Sequence, residues 1–172
     1  MNIKILLAAA GIVASLAGLY TYHNIAAANN SNKEEIAYRQ EMGNLICDIK
    51  EYGQEHGKGD FFIIANGGAG LMESNEMFPE EDCDKMKAHL DGVMVESVNY
   101  GWDMAMDNPT PVEDQEIFHD LLAEAKKSGV VPLVLDYCRE KPETHKSYRE
   151  DRDYGYLGWV SARRDLDFLI HR

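Results

Sequence analysis

Four short apolar runs, each followed by a polar or small residue, set the main constraint on how this chain can fold. They begin near residues 61, 92, 130 and 156, and a segment of helical character lies between each run and the next. Such spacing is typical of β-strands joined by crossover helices and is too long for hairpins. The sequence therefore predicts an α/β fold of parallel (β/α) units, with about four strands and right-handed crossovers.

The helices are marked by capping signals and by apolar periodicity. Ser31 and Glu34 have the spacing of a capping box, which predicts a helix start near Asn32. Thr110 and Glu113 repeat this spacing at the start of a later helix. Apolar residues at helical intervals predict the buried face of the first helix, which comprises Ile36, Met42, Leu45, Ile46 and Ile49.

The first 28 residues differ in composition from the rest of the chain. Lys4 precedes an uncharged run from Ile5 to Tyr20, and residues 26–28 (AAA) offer a small-residue cleavage site. These features indicate a secretory signal peptide, with an uncleaved membrane anchor as the alternative. We divide the chain into a signal peptide (1–28), a linker (29–32) and one domain (33–172). The protein is expected to be secreted or periplasmic, or membrane-anchored if the segment is retained.

Charge and cysteine content argue against several classes of partner. Loss of residues 1–28 removes only Lys4 from 17 basic residues, so the mature charge is 16 − 30 = −14. Such a surface disfavours nucleic acid and anionic membranes. Cys47, Cys83 and Cys138 lack a CxxC spacing, so buried free thiols are expected. No nucleotide-binding motif and no histidine-based metal motif occurs, so the sequence predicts neither a cofactor nor a metal.

Each predicted strand ends in side chains that can take part in chemistry. The carboxyl ends of parallel strands lie at one rim of the sheet, where α/β folds bind ligands. Two carboxylates at this rim, Glu96 and Asp136, would suit glycoside hydrolysis, with one as the acid and the other as base or nucleophile. The residues that follow the four runs, in order, are Asn66 with Gly67, Glu96, Asp136 with Tyr137, and Ser161 with Arg163.

Four segments, taken in order, carry a resemblance to a known family. They are residues 62–67 (FIIANG), 91–96 (DGVMVE), 134–137 (VLDY) and 158–167 (GWVSARRDLD). The first three resemble the later strands of glycoside hydrolase family 114, and the fourth resembles its last strand and the segment that follows. That family of TIM barrels includes endo-α-1,4-polygalactosaminidases. The resemblance spans roughly residues 33–168.

The resemblance implies an eight-stranded barrel that cleaves an amino-sugar (galactosamine-type) polysaccharide with an Asp and a Glu. Glu96 matches the catalytic Glu of that family. Asn66 and Gly67 match pocket residues after the preceding strand, and Asp136 with Tyr137 matches the polar end of the next one. The acidic surface would suit a cationic, partly deacetylated polymer.

The chain departs from that family in length. Its mature part opens on a helix, and 172 − 28 = 144 residues cannot form a barrel of ~250 residues. The sequence therefore resembles the C-terminal half of a TIM barrel, without the half that carries the family's other catalytic carboxylate. Four parallel strands would leave two edges and an apolar inner face open to water. Such a half-barrel would form a homodimer, pair with a separately encoded N-terminal half-barrel, or be a marginal remnant.

Three readings of function are compatible with these features. The first is an exported glycoside-hydrolase-like protein in which Glu96 is catalytic, Asp136 replaces the lost acid and Arg163 binds substrate; survival of hydrolysis after truncation stays open. The second is a non-catalytic carbohydrate-binding or assembly module. The third is an unrelated doubly wound α/β protein with another strand order. The sugar-facing aromatics of the second reading are Tyr100, Trp102 and Tyr137, for which packing under a loop is an equally good explanation.

Overall fold

The computed structural model of this chain describes residues 32–57, 61–75 and 78–166, with side chains from Arg39 onward. The predicted signal peptide, most of the linker and the cap residue Ser31 lie outside the described residues. Of the helices in these ranges, none combines the length and the apolar character needed to cross a membrane.

Helices and strands alternate along the described chain, as the sequence predicts. Short 3₁₀ turns at Ala69–Met72 and Trp102–Met104 follow the first two strands. The α/β fold of parallel units is therefore confirmed. The elements are α1 (Asn32–Glu55), β1 (Ile64–Asn66), α2 (Glu80–His89), β2 (Gly92–Glu96), α3 (Val112–Lys127), β3 (Val131–Tyr137), α4 (Lys141–Tyr154) and β4 (Leu157–Ser161).

All neighbouring strands run parallel, and their order in the sheet follows their order in the chain, β1-β2-β3-β4. In the central pair, Gly92 lies opposite Val131 and Glu96 lies opposite Leu135. A doubly wound sheet reverses its strand order at a switch point, and the four described strands contain no reversal. The doubly wound reading is therefore wrong for these strands. Their order is that of consecutive strands in a (β/α) barrel.

The main apolar core lies between the helices and one face of the sheet. Val93 and Val134, from the central strands, are buried in this core. α3 packs on β2 and β3, and α4 packs on β4. Side chains alternate between the two faces of a strand, so Met94 and Glu96 on β2, and Leu133 and Leu135 on β3, belong to the second face, called the inner face below. On the inner face, a Cβ at Gly92 would meet Leu133 and Ile64.

α1 buries less of its apolar surface than its sequence pattern predicts. Ile46 is buried in the main core, as expected. Met42, Leu45 and Ile49 belong to the same predicted face, but they are exposed, as is Tyr52. These four residues, called the α1 stripe below, follow one another at intervals of three, four and three positions, so they line one flank of the helix. The described part of the chain places no covering element on that flank.

Polar contacts fix the direction of α1 relative to the sheet. Near its C-terminus, Lys50 Nζ donates to Asp91 Oδ2 at 2.7 Å, and the same oxygen accepts from Ile63 N at 2.7 Å. Near its N-terminus, Arg39 Nη2 donates to Gly70 O at 2.7 Å. Ile63 and Asp91 precede β1 and β2, whereas Gly70 follows β1. α1 therefore runs from the rim where the strands end to the rim where they begin.

Two local predictions are corrected by the structure. The first strand, expected over residues 61–65, is the shorter Ile64–Asn66. Thr110 does not cap α3 through its side chain. Its hydroxyl instead donates to Ser97 O at 2.6 Å, so it holds the loop after β2. The capping-box spacing was correct for the position of the helix and wrong for the role of the threonine.

The three cysteines are free and buried, which confirms that prediction. Burial is the main cause of the raised thiol pKa at Cys47 and at Cys83. Burial also raises the pKa of Cys138 to about 12. All three thiols are therefore protonated at neutral pH, which makes them poor nucleophiles.

Gly158 makes room for a buried carboxylate. It lies on the β4 face that packs against α4, where a Cβ would overlap the Asp151 carboxylate. We expect Gly158→Ala to lower the free energy of unfolding by about 1–3 kcal/mol through overpacking, as measured by urea denaturation. Gly70→Ala is the control, because its nearest neighbour would be Arg39 Nη2 at 3.4 Å. A Gly158→Ala protein as stable as the wild type would contradict this close packing.

Candidate functional site

Glu96 ends β2 between side chains of the two neighbouring strands. Asn66 Nδ2, at the end of β1, donates to Glu96 Oε1 at 2.9 Å. Tyr137 OH, at the end of β3, donates to Glu96 Oε2 at 2.5 Å. The three side chains meet because parallel strands in sequential order end at one rim. Asn66, Glu96 and Tyr137 form the Glu96 cluster, in which each carboxylate oxygen has a donor from a different strand.

Arg164 borders the Glu96 cluster from the segment after β4. Its guanidinium lies 4.1 Å from the centroid of the Tyr137 ring, a cation–π geometry. Arg164 Nη2 donates to Gly101 O, and its Nε is buried without an acceptor among the described residues. Burial and the hydrogen bond to Glu96 raise the pKa of Tyr137. The phenol therefore stays protonated and remains a hydrogen-bond donor.

The loop after β2 has an unusual backbone. At Gly101, with φ +108°, a Cβ would meet the Tyr137 ring at 2.9 Å and Arg164 Nη2 at 3.0 Å. Only glycine fits this close approach. Left-handed backbone at residues other than glycine tends to occur at functional sites, and this loop borders the Glu96 cluster. The residues of the loop with positive φ, besides Gly101, are Ser97, Asp103, Met104 and Asp107.

Asp136 lies in a buried polar network rather than beside Glu96. Asn99 donates to both of its oxygens, from the backbone N to Oδ1 at 3.0 Å and from Nδ2 to Oδ2 at 2.8 Å. Ser147 Oγ donates to Asp136 Oδ2 at 2.7 Å. Asn99 Nδ2 also donates to Asp151 Oδ1 at 3.0 Å. The network links the loop after β2, the strand β3 and the helix α4.

The prediction that Asp136 is a second accessible carboxylate beside Glu96 is wrong. Successive side chains on a strand point to opposite faces, and Tyr137 contacts Glu96 on the inner face. Asp136 therefore points to the other face, towards Ser147 on α4. Its side chain is fully buried there, so a substrate at the Glu96 cluster cannot contact it.

Asp151 is the member of the buried network that holds a proton near neutral pH. Burial is the main cause that raises its pKa to about 7, and the charge of Asp136 is the second cause. Burial also raises the pKa of Asp136, against the hydrogen bonds from Ser147 and Asn99, which favour its ionised form. Asp151 Oδ2 is buried without a partner among the described residues. A protonated Asp151 beside an ionised Asp136 avoids two adjacent buried charges.

Tyr100 and Trp102, predicted from sequence as sugar-facing aromatics, pack against apolar side chains in the structure. Tyr100 is buried with Cys138 and Val160, next to α4. Trp102 is partly buried and packs against the main core. Of the three predicted aromatics, only Tyr137 reaches the Glu96 cluster. Packing under the loop after β2 therefore explains the other two.

Of the two remaining predicted site residues, Gly67 lies beside the Glu96 cluster and Arg163 lies outside it. Gly67 follows Asn66 with φ +79°, and its N donates to Met94 O at 2.9 Å, so it turns the chain beside the cluster. Arg163 is exposed and forms an ion pair with Asp165 at 2.5 Å, outside the cluster. The structure brings Arg164, not Arg163, to Tyr137.

Sequence reasoning missed Arg164, Asn99, Ser147 and Asp151. Ser147 and Asp151 are four residues apart on α4, so they share one helix face, and this spacing was a usable signal for an inward polar pair. Two consecutive arginines in a turn offer no signal for which of them points inward. Asn99 was visible only as one polar residue in a long loop.

Comparison with known proteins assigns no family to the chain. No model of a protein family matches it, and no curated protein matches it. Within residues 32–57, 61–75 and 78–166, no group of three or more His, Cys, Asp or Glu residues could hold a metal ion.

Asp151 should make the stability of the protein depend on pH. Its folded pKa of about 7 exceeds its unfolded value of about 4, so the folded state binds more protons between these values. The stabilisation is fully present below about pH 4 and is lost as the pH rises through about 7. Asp151→Asn removes this titration, so its free energy of unfolding should fall less across this window than that of the wild type.

Urea denaturation at a series of pH values measures this difference. Asp153→Asn is the matched control, because Asp153 is exposed on the same helix, and it should keep the pH dependence of the wild type. Equal slopes for Asp151→Asn and the wild type would show that Asp151 does not retain its proton in the folded state.

Proposed function

We propose that this protein is an exported glycoside-hydrolase-like protein that acts on an amino-sugar polysaccharide through Glu96. The observation that carries the proposal is the carboxylate of Glu96, held at the strand-end rim by Asn66 and Tyr137. Ligands of parallel α/β folds bind at this rim. The resemblance of the strand segments to glycoside hydrolase family 114 supports the same assignment.

The chemistry of the cluster suits a cationic sugar polymer. An amino sugar without its acetyl group carries an ammonium, for which Glu96 can serve as counter-ion and hydrogen-bond acceptor if the polymer is bound without cleavage. Tyr137 remains a donor because its pKa is raised. The formal net charge of −13 attracts such a polymer over longer distances. A neutral, fully acetylated polymer would lack the electrostatic part of this interaction.

Hydrolysis requires a second carboxylate, about 5–9.5 Å from the first. Asp136 cannot supply it, because its side chain is buried on the other face of the sheet. This burial favours a second candidate function for a single chain, namely binding of the polymer without cleavage. Both candidates place the polymer at Glu96 and differ only in whether a bond is broken.

Glu96→Gln tests the proposal. If the polymer is cleaved, the wild-type chain should release new reducing ends from deacetylated galactosamine polymer, and the variant should do so about 10²–10⁴-fold more slowly, because an acid–base group is lost. Its free energy of unfolding should change by less than about 1 kcal/mol, because the amide can keep one acceptor. The control Glu116→Gln, exposed on α3, should retain wild-type activity.

Affinity measurements on the same variants separate the two functions. If the wild type binds the polymer without releasing reducing ends, and Glu96→Gln weakens that binding, the protein is a binding module. If the wild type neither cleaves nor binds the polymer, or if Glu96→Gln leaves both properties unchanged, the Glu96 cluster is not the site and the proposal is wrong.

A further inference from the structure

The inner face of the sheet exposes apolar side chains on its edge strands β1 and β4, whereas Leu135 at its centre is buried. Parallel sheets occur almost only with both faces covered. Here Ile64 on β1 is 45% exposed and Leu157 on β4 is 62% exposed, and Trp159 is also exposed. No described helix packs on this face, since the apolar clusters lie on the other one. The neighbouring surfaces indicate what can cover this face.

The α1 stripe is a second exposed apolar surface, which lies in the helix layer at the β1 edge of the sheet. Its four side chains are between 39% and 64% exposed. Contacts of α1 with α2 are made by another flank, where a Cβ at Gly43 would meet Phe78 and Met86. At about 100° per residue, the stripe lies on the side of α1 away from α2. It therefore faces the position that a further helix would occupy beyond β1.

One flank of α4, at the β4 edge of the sheet, is basic, and the surface of α1 next to the α1 stripe is acidic. α4 contacts α3 through Tyr154, whose ring stacks on His119. At about 100° per residue, the exposed Lys141 and Arg152 lie on the flank away from α3. On α1, the exposed acidic residues next to the stripe are Glu41, Asp48 and Glu55.

The size of these surfaces favours a closed ring over simple stacking of two sheets. Four strands about 4.8 Å apart, with about five residues of 3.3 Å each, present roughly 300 Å² of face. A stable interface buries about 800 Å² per partner. The sheet face alone is too small, and the helix flanks at both edges are needed to approach that area. Four strands in sequential order are half of the eight that close a (β/α) barrel.

We propose that two copies of this chain associate so that β4 of each copy lies beside β1 of the other. This arrangement closes an eight-stranded ring around the apolar inner face and pairs both edges of each sheet. It also places the α1 stripe of each copy against α4 of the other, with the acidic side of α1 next to Lys141 and Arg152. The association rests on apolar burial and charge pairing and is independent of the proposed function.

Reversal of charge on one helix, and then on both, tests this pairing. The α1 variant carries Glu41→Lys, Asp48→Lys and Glu55→Lys, and the α4 variant carries Lys141→Glu and Arg152→Glu. We expect the full-length wild type to sediment with twice the chain mass of 19.4 kDa. Each variant should raise the dimer Kd at least about tenfold, equal to about 1.4 kcal/mol, and both reversals in one chain should restore it within about threefold.

The design separates specific pairing from the net charge of the protein. The α1 variant lowers the negative net charge, so a non-specific effect would strengthen association instead of weakening it. If a single-helix variant unfolds on dissociation, as circular dichroism would show, the doubly reversed chain should recover both folding and dimerisation. A doubly reversed chain as weak as the single variants would overturn the proposed pairing.

The apolar part of the surface is tested by Ile49→Glu in the α1 stripe. It should dissociate the dimer, because it places a charge in the apolar contact. Val112→Glu is the matched control, since Val112 is 69% exposed at the start of α3 and far from both edges, and it should leave the dimer intact. A wild-type chain that is monomeric at micromolar concentration would overturn the proposal, and a different protein or the chain's own residues would then cover the inner face.

Discussion

The alternation of side chains across a parallel four-stranded sheet is the constraint on which the rest of this structure depends. It sends Val93 and Val134 into the core under the helices and leaves Glu96 and Tyr137 together on the inner face. The same alternation turns Asp136 towards α4, where only a network of donors makes a buried carboxylate tolerable. The Glu96 cluster and the buried network are thus separated by one position along β3.

The buried network supports the Glu96 cluster although it does not touch it. Asn99 binds Asp136 through both its backbone and its side chain, which fixes the loop after β2 against β3. That loop carries Gly101, whose carbonyl accepts from Arg164, and Arg164 stacks on Tyr137. The position of the guanidinium beside the cluster is therefore set, through the loop, by a carboxylate on the other face of the sheet.

The order of elements could be predicted from sequence because periodicity and spacing are local properties. The bounds of β2 and the location of Asn66 and Glu96 at one rim follow from the same signals. The sheet faces on which Asp136 and Tyr137 lie could not be predicted from the sequence. β3 is apolar on both sides, so its residues show no alternation of polar and apolar positions. Met42, Leu45 and Ile49 of the α1 stripe were predicted to be buried and are exposed, because a periodic pattern identifies an apolar helix face but not the surface that covers it.

A ring closed by two copies would cover the exposed apolar residues of the inner face. It would also bring a second carboxylate to the Glu96 cluster, which has only one in a single chain. Both β2 strands would then end at the same rim, and each would bring one Glu96 to an interior just wide enough to be filled by side chains. The two carboxylates would then face each other across this interior. Glycoside hydrolysis requires two carboxylates, one as the acid and the other as base or nucleophile. Hydrolysis by such a shared site would give a rate per chain that rises with protein concentration through the dimer Kd. A rate per chain that is independent of concentration across that range would show that each Glu96 acts without the other.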